Sequence, residues 1–226
     1  MRNYFTIALS HYRTLMTISR DAVLDWLKAF AATINENSAY LTQLDSDIGD
    51  GDHGANMNRG MQAVLTALPG VADKDIGFIF KTVGMKLVST VGGASGPLYG
   101  TMFMEMGSAT AGKMELTLDD WVAAVQAGYD GVIKRGKAQP GDKTMVDALT
   151  PGLDMLKTQR GNGAEISDAL NAAAEATKQG MEATIPLVAR KGRASYLGER
   201  SANHQDPGAT SSYLLMKTAA ETWNNV

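Results

Sequence analysis

Residues 19–37, SRDAVLDWLKAFAATINEN, carry the reading on which the fold turns. Ser19 is a good helix N-cap, because its hydroxyl can accept a bond from a first-turn amide. Val23, Leu27, Phe30 and Ile34 then recur at steps of four, three and four, which makes one apolar stripe along a helix. The pattern returns in 56–68 with Met57, Met61, Val64 and Leu68, and in 75–91 with Ile76, Phe80, Val83 and Leu87. A short helical piece is expected around Tyr40 to Leu44. Longer helices are expected over Leu98 to Ala111, Leu118 to Arg135, Thr144 to Thr158, Glu165 to Ala189 and Ala209 to Trp223. Thr117 with Asp120 reads as a capping box ahead of the second of these. Period-two runs rich in Val, Ile and Thr between hairpin dipeptides are essentially missing, so the chain reads as all-α with eight or nine helices.

In an up-and-down bundle with short loops, successive loops alternate between the two ends. Counting from the acidic stretch, one end receives residues 45–55, GGASGP at 92–97, GKAQPGDK at 136–143 and RKGRASYLGERSANHQDPG at 190–208. The other end receives 69–75, 112–116 and 160–165, which look like ordinary turns. The chemically unusual residues therefore converge on one face. Residues 1–15 read as an extension with little role ahead of a single domain over 16–226, because they show no sustained stripe.

Composition narrows the function. A net charge of −3 and a pI near 5.6 give no broad basic face for nucleic acid. No apolar run approaches the ~18 residues of a membrane span, and none at the start suits a signal peptide, so a cytoplasmic chain is expected. The absence of cysteine excludes thiol nucleophiles, thiolate metal sites and disulfides.

The stretch LDSDIGDGDHG at 44–54 packs four aspartates and a histidine among three glycines. Crowded carboxylates repel one another, and a hard divalent cation relieves them. An EF-hand starting at Asp45 fails, since Asp50 stands where glycine is required and Asn56 where a bidentate glutamate is required. Magnesium fits better, as it takes one or two carboxylates and leaves positions for phosphates. Helix caps on a solvated turn remain the alternative, most of all for Asp47. GGASG at 92–96 can turn backbone amides toward an anion, or can be a helix end and a turn at Pro97. Asp206 and Pro207 read as helix-start chemistry. Arg190, Lys191, Arg193 and Arg200 opposite carboxylate-bound magnesium would suit phosphoryl transfer, although a charge run is also an ordinary solvated surface. His53 can cap a helix, touch a phosphate or move a proton; His204 can orient Asp206; Met145 can flank an adenine.

LDSDIGDGDHGANMNRG, VGGASGPLYG, RGKAQPGDKTM and RKGRASYLGERSANHQDPGATS together resemble the nucleotide-binding L subunit of bacterial phosphoenolpyruvate-dependent dihydroxyacetone kinases, over about residues 16–224. The resemblance implies an eight-helix antiparallel barrel with ADP or ATP bound at one rim. It implies two magnesium ions on Asp45, Asp50 and Asp52. Phosphate and nucleoside contacts would come from His53, Gly54, Ala55, Asn56, Ala94 and Ser95. Gly136 and Met145 would line the adenine pocket, Arg193 would meet the phosphates as the catalytic cation, and Asp206, Pro207 and Gly208 would cover the nucleoside. The implied activity is transfer of a phosphoryl group to dihydroxyacetone held on a partner K subunit. A free-standing chain favours resident ADP rephosphorylated by a phosphocarrier M subunit. A regulatory module signalling to a transcription factor and a two-metal phosphohydrolase are the rival readings.

Overall fold

The computed structural model describes residues 16–224, so the extension expected at 1–15 lies outside the described residues. Nine α-helices occupy the described residues: α1 (Arg20–Glu36), α2 (Ser38–Ile48), α3 (His53–Ala67), α4 (Ile76–Thr90), α5 (Ser95–Ala109), α6 (Leu118–Gly136), α7 (Met145–Gly161), α8 (Ile166–Glu182) and α9 (Pro207–Thr222). Two-residue strands β1 (Ile18–Ser19) and β2 (Glu115–Leu116) pair antiparallel and join the chain ahead of α1 to the connection before α6.

All but α2 alternate in direction and pack in a ring. α1 touches α3, then contact passes in chain order from α3 to α9, and α9 returns to α1. The all-α chain expected from the apolar stripes, arranged as the antiparallel barrel that the resemblance implies, is therefore what forms. Ser19 caps α1 through the Ala22 amide at 3.1 Å, and Val23, Leu27, Phe30 and Ile34 are all buried. α2 lies at one end, packed on α3, α9 and the segment 193–201. That end carries 49–52, 91–94, 137–144 and 183–206 and is the cleft end; 68–75, 110–117 and 162–165 make the turn end.

Two boundaries differ from the sequence reading by more than three residues. The short piece at Tyr40 to Leu44 is the middle of α2, which runs on through Asp45 and Asp47 because Leu41, Leu44 and Ile48 continue a buried stripe. The helix expected to reach Ala189 stops at Glu182 and gives way to turns running into Pro186, whose ring and missing N–H forbid continuation.

The core differs between the ends. Toward the turn end, Trp26, Trp121, Trp223, Phe80 and Phe103 interlock, with Trp121 meeting Trp26 and Trp223 edge-on at centroid distances of 5.4 and 4.9 Å. Trp26 and Trp223 donate to the Leu215 and Ala22 carbonyls at 3.3 and 2.9 Å. Toward the cleft end the buried side chains include His53, Tyr99, Lys143, Asp206, Ser211 and Ser212. Among the described residues no helix is long and apolar enough to cross a membrane.

Candidate active site

Asp45, Asp50 and Asp52 each place one carboxylate oxygen within 4.8 Å of the others. Asp45 does so from the last turn of α2, where it is buried, while Asp50 and Asp52 come from the bend between α2 and α3. Asp45 Oδ2 accepts from the Asp52 and His53 amides at 2.8 and 3.1 Å, so it also satisfies the start of α3. The helix-cap alternative is thus half right for Asp45: its carboxylate caps the start of α3 and also stands within the acidic cluster. Asp47 lies apart on the outer face of α2, accepting from Gln43 at 2.9 Å.

Three carboxylates at this spacing repel strongly unless a cation joins them, and their oxygen-only donor set fits magnesium. Arg193 supplies part of the countercharge, its Nη2 standing 3.1 Å from Asp50 Oδ2. Lys191 and Arg193 both line the cleft, whereas Arg190 and Arg200 point to solvent.

Phosphate-binding chemistry sits beside this cluster. Neither Asp52 nor Ala94 makes a side-chain cap of its own, and Asp45 takes only the Asp52 and His53 amides, so both helices still present first-turn amides and the positive ends of their dipoles at the cleft end. Gly93, at φ 65°, makes the left-handed turn that aims the second of these. Gly54 is fixed for a different reason, since a Cβ there would sit 1.9 Å from the Ser38 carbonyl; it lets α3 press against α2. Ala55 is exposed, and Asn56 is buried against Gly92 and accepts from Arg59 at 2.6 Å. Gly54, Ala55 and Asn56 therefore lie behind the cleft wall that His53 forms.

His53 is buried with both ring nitrogens engaged, Nδ1 with Ser95 Oγ at 3.0 Å and Nε2 with Ser211 Oγ at 2.9 Å. Tyr99 extends the network to Ser211 and Ser212 at 2.7 and 3.1 Å. Burial drives the imidazole pKa down to about 4, against the pull of Asp45 and Asp52, so the ring is neutral near pH 7. It ties α3, α5 and α9 together at the cleft and keeps no free nitrogen for proton transfer.

Asp206 caps α9 through the Ala209 amide at 2.7 Å, as its sequence context suggests. Burial pushes its carboxyl up to about 7, although the Ala209 bond and Lys143 act the other way. His204 does not orient it: that imidazole instead faces Asp47, 3.8 Å away, because the 201–206 segment turns the ring outward toward α2.

A second, apolar cavity of ≈ 320 Å³ adjoins the charged one and is lined by Pro97, Leu98, Val132, Gly136, Ala138 and Met145. Ala94, Leu98, Thr144, Met145, Lys191 and Gly192 border both spaces. The structure thus brings Asp45, Asp50, Asp52, His53, Ala94, Ser95, Gly136, Met145, Arg193, Asp206, Pro207 and Gly208 onto one divided cleft. Sequence reading missed Lys143 and the Tyr99, Ser211 and Ser212 hydroxyls. The serines follow DPGAT directly and lie one helical turn past Gly208, to whose carbonyl both donate, a spacing that could have revealed them.

The DAK2 domain model matches residues 47–221. The chain is 49% identical over 205 residues to the ADP-binding subunit of a PEP-dependent dihydroxyacetone kinase of Escherichia coli, covering 91% of this chain and 98% of that one. It is 44% identical over 201 residues to the ADP-binding subunit of a PTS-dependent dihydroxyacetone kinase of Lactococcus lactis, covering 89% and 96%. Among solved structures, the dihydroxyacetone kinase of C. freundii in complex with AMP-PNP and Mg2+ superimposes with a TM-score of 0.68 at 26% identity. That match covers 98% of this chain and 38% of the longer kinase, so the chain corresponds to little over a third of it. The chain belongs to the DAK2 family and, within it, to the ADP-binding subunits of phosphoenolpyruvate-dependent dihydroxyacetone kinases.

Proposed function

We propose that this chain binds a magnesium adenine nucleotide in the divided cleft and serves transfer of its terminal phosphoryl group to dihydroxyacetone presented by a K-type partner subunit. Recharging of resident ADP would fall to a phosphocarrier M-type subunit. The observation that carries the reading is the shared wall: a carboxylate cluster sized for a hard cation lines one space, an apolar cavity suited to a base is the other, and the same residues border both. The relatives named as ADP-binding, and the related kinase solved with AMP-PNP and Mg2+, support the same ligand pair.

Each residue's work follows from where it lies. Asp45, Asp50 and Asp52 would hold the metal, two ions by the resemblance. Magnesium, when bound, neutralises charge on phosphate oxygens, and the nucleotide supplies the phosphoryl group. The starts of α3, with the Gly54 and Ala55 amides, and of α5, with Ala94 and Ser95, would offer amides to phosphate, whereas the His53 and Asn56 amides go to Asp45 and Asp52. Gly136 and Met145 would flank the base, and Asp206, Pro207 and Gly208 would close over the nucleoside. Arg193, mostly exposed on the rim beside Asp50, can meet charge that develops as the phosphoryl group moves. Neutral, doubly bonded His53 positions the phosphate-facing helices and leaves removal of the triose proton to the partner.

A single-turnover assay tests this. The purified chain is loaded with magnesium and γ-labelled ATP, freed of excess nucleotide, and given dihydroxyacetone with and without a K-type subunit. Label in dihydroxyacetone phosphate only with the partner present, and ADP retained on the chain, is the expected outcome. Release as inorganic phosphate without any partner would point to a hydrolase instead, and label kept in both tubes to a regulatory module.

A further inference from the structure

Lys143 is 1% exposed and sits at φ 63°, a left-handed conformation uncommon for a lysine. Its ammonium donates to the carbonyls of Thr184, Leu187 and Ile185 at 2.8, 3.1 and 3.3 Å, and to that of His204. An ammonium has three N–H groups, so four acceptors share them. Three of the four follow the C-terminus of α8, where the helix dipole concentrates negative charge, and those of Thr184 and Ile185 accept the Leu187 and Asn203 amides as well. A desolvated cation ringed by carbonyl oxygens is also how protein backbones hold a monovalent metal ion.

The ring joins segments that are far apart in sequence and adjacent at the cleft. Lys143 immediately precedes Thr144 and Met145, which border both cavities. His204 lies two residues ahead of Asp206. The turn after α8 leads into Lys191 and Arg193, and the Arg190 amide bonds back to the Asp142 carbonyl at 3.1 Å. One charge thus fixes the base-flanking methionine, the Asp206 corner and the root of the arginine loop relative to one another.

We propose that Lys143 is the positioning residue of the cleft, its ammonium occupying a backbone cation site and so setting the register of the three loops that must close on a nucleotide. The inference rests on the nucleotide reading above. Lys143→Met keeps the length of the side chain but takes the ammonium away from all four carbonyls, leaving those of Thr184 and Ile185 with the Leu187 and Asn203 amides alone. Dissociation of a fluorescent magnesium ADP should then quicken tenfold or more, and KM should rise more than kcat falls, while far-UV circular dichroism stays unchanged. Lys143→Ala leaves room for a small cation. Its faster dissociation should be reversed by ethylammonium or potassium and not by choline at equal ionic strength. Dissociation within twofold of wild type in both variants overturns the proposal, as does a folded Lys143→Ala chain that no cation restores. If Lys143→Met does not fold, the alanine variant decides, and failure to fold with or without ethylammonium also overturns it. Hydrogen exchange on the nucleotide-free chain separates this idea from the reading beneath it. Protection lost only across 184–206 supports the clamp even if wild type binds no magnesium ADP, and unchanged protection there sinks it.

Discussion

At the turn end, short connections, a two-residue β-pairing and three interlocked tryptophans close the barrel, whereas the cleft end buries a lysine, three aspartates and a histidine beneath loops with several left-handed residues. Aromatic burial at the first end contributes roughly 4 kcal/mol per ring by area. Buried ionisable groups and strained backbone at the second act in the opposite direction. The difference separates the work of folding from the work of binding along the barrel axis. A substitution at one end should therefore be read mainly in stability, and one at the other mainly in ligand affinity and turnover.

Asp50→Ala makes the strongest test of that separation. Asp50 is a partly exposed carboxylate whose ion pair is to Arg193, so its removal should leave stability within about 0.5 kcal/mol. Turnover should fall by more than the ~100-fold that loss of one transition-state donor costs, because magnesium and nucleotide would be lost together. Calorimetric titration with magnesium ADP checks the binding, and retained tight binding would remove Asp50 from the metal set.

Asp206→Asn probes the stability cost of the cleft end directly. The folded carboxyl titrates near 7 rather than at the usual 3.8. Between those values the folded chain keeps a proton that the unfolded chain has released, so the wild type loses stability as pH rises through this window. Asparagine is neutral and still a good N-cap. The nucleotide-free variant should match wild type near pH 4 and exceed it by up to about 4 kcal/mol at pH 8, measured by urea unfolding at each pH. His53 acts with the opposite sign between about 4 and 6.5, but equally in both chains, so the difference isolates Asp206. A difference that does not vary with pH would show that Asp206 carries no such cost.

Arg193→Ala should come next. Arg193 is exposed and touches the acidic cluster, so stability should hold while kcat falls ~100-fold and nucleotide affinity changes little. Unchanged turnover in the assay with the partner subunit would take Arg193 out of the chemistry.

Much of this architecture was readable because it is local. Stripes such as Val23, Leu27, Phe30 and Ile34 fix helices, and loop alternation brings the acidic, glycine-rich and arginine-rich loops together. The length of α2 was misread because Asp45, Ser46 and Asp47 look like loop residues, yet Ser46 bonds back to the Thr42 carbonyl and Gln43 to Asp47 within the helix. The end of α8 was misread because the stripe outweighed Pro186. Lys143 was not readable at all. Nothing near it in sequence marks a lysine as buried, since its acceptors lie 41 to 61 residues away. The facing of His204 toward Asp47 likewise depends on a meeting of α2 with a loop more than 150 residues later.

The smallest expected effect comes from the turn end and closes the comparison. Asp75 caps α4 through the Phe78 amide at 3.0 Å, and the same Oδ1 accepts from Gly112 at 3.0 Å across the neighbouring turn. Burial acts to raise its pKa, but these backbone bonds outweigh it and hold the carboxyl below the usual value. The bonds favour the ionised form, so their stabilisation is present above the ordinary carboxylate pKa and is lost as pH falls through the lowered folded one. Asp75→Ala should cost about 1 kcal/mol at neutral pH, the usual loss for an N-cap. The nucleotide off-rate and the turnover should not change, because the cap lies a full helix length from the acidic cluster. The deficit should shrink in acid, as wild type loses the same bonds. A kinetic change in this variant would mean that the two ends are coupled through α4 and that the separation along the barrel is incomplete.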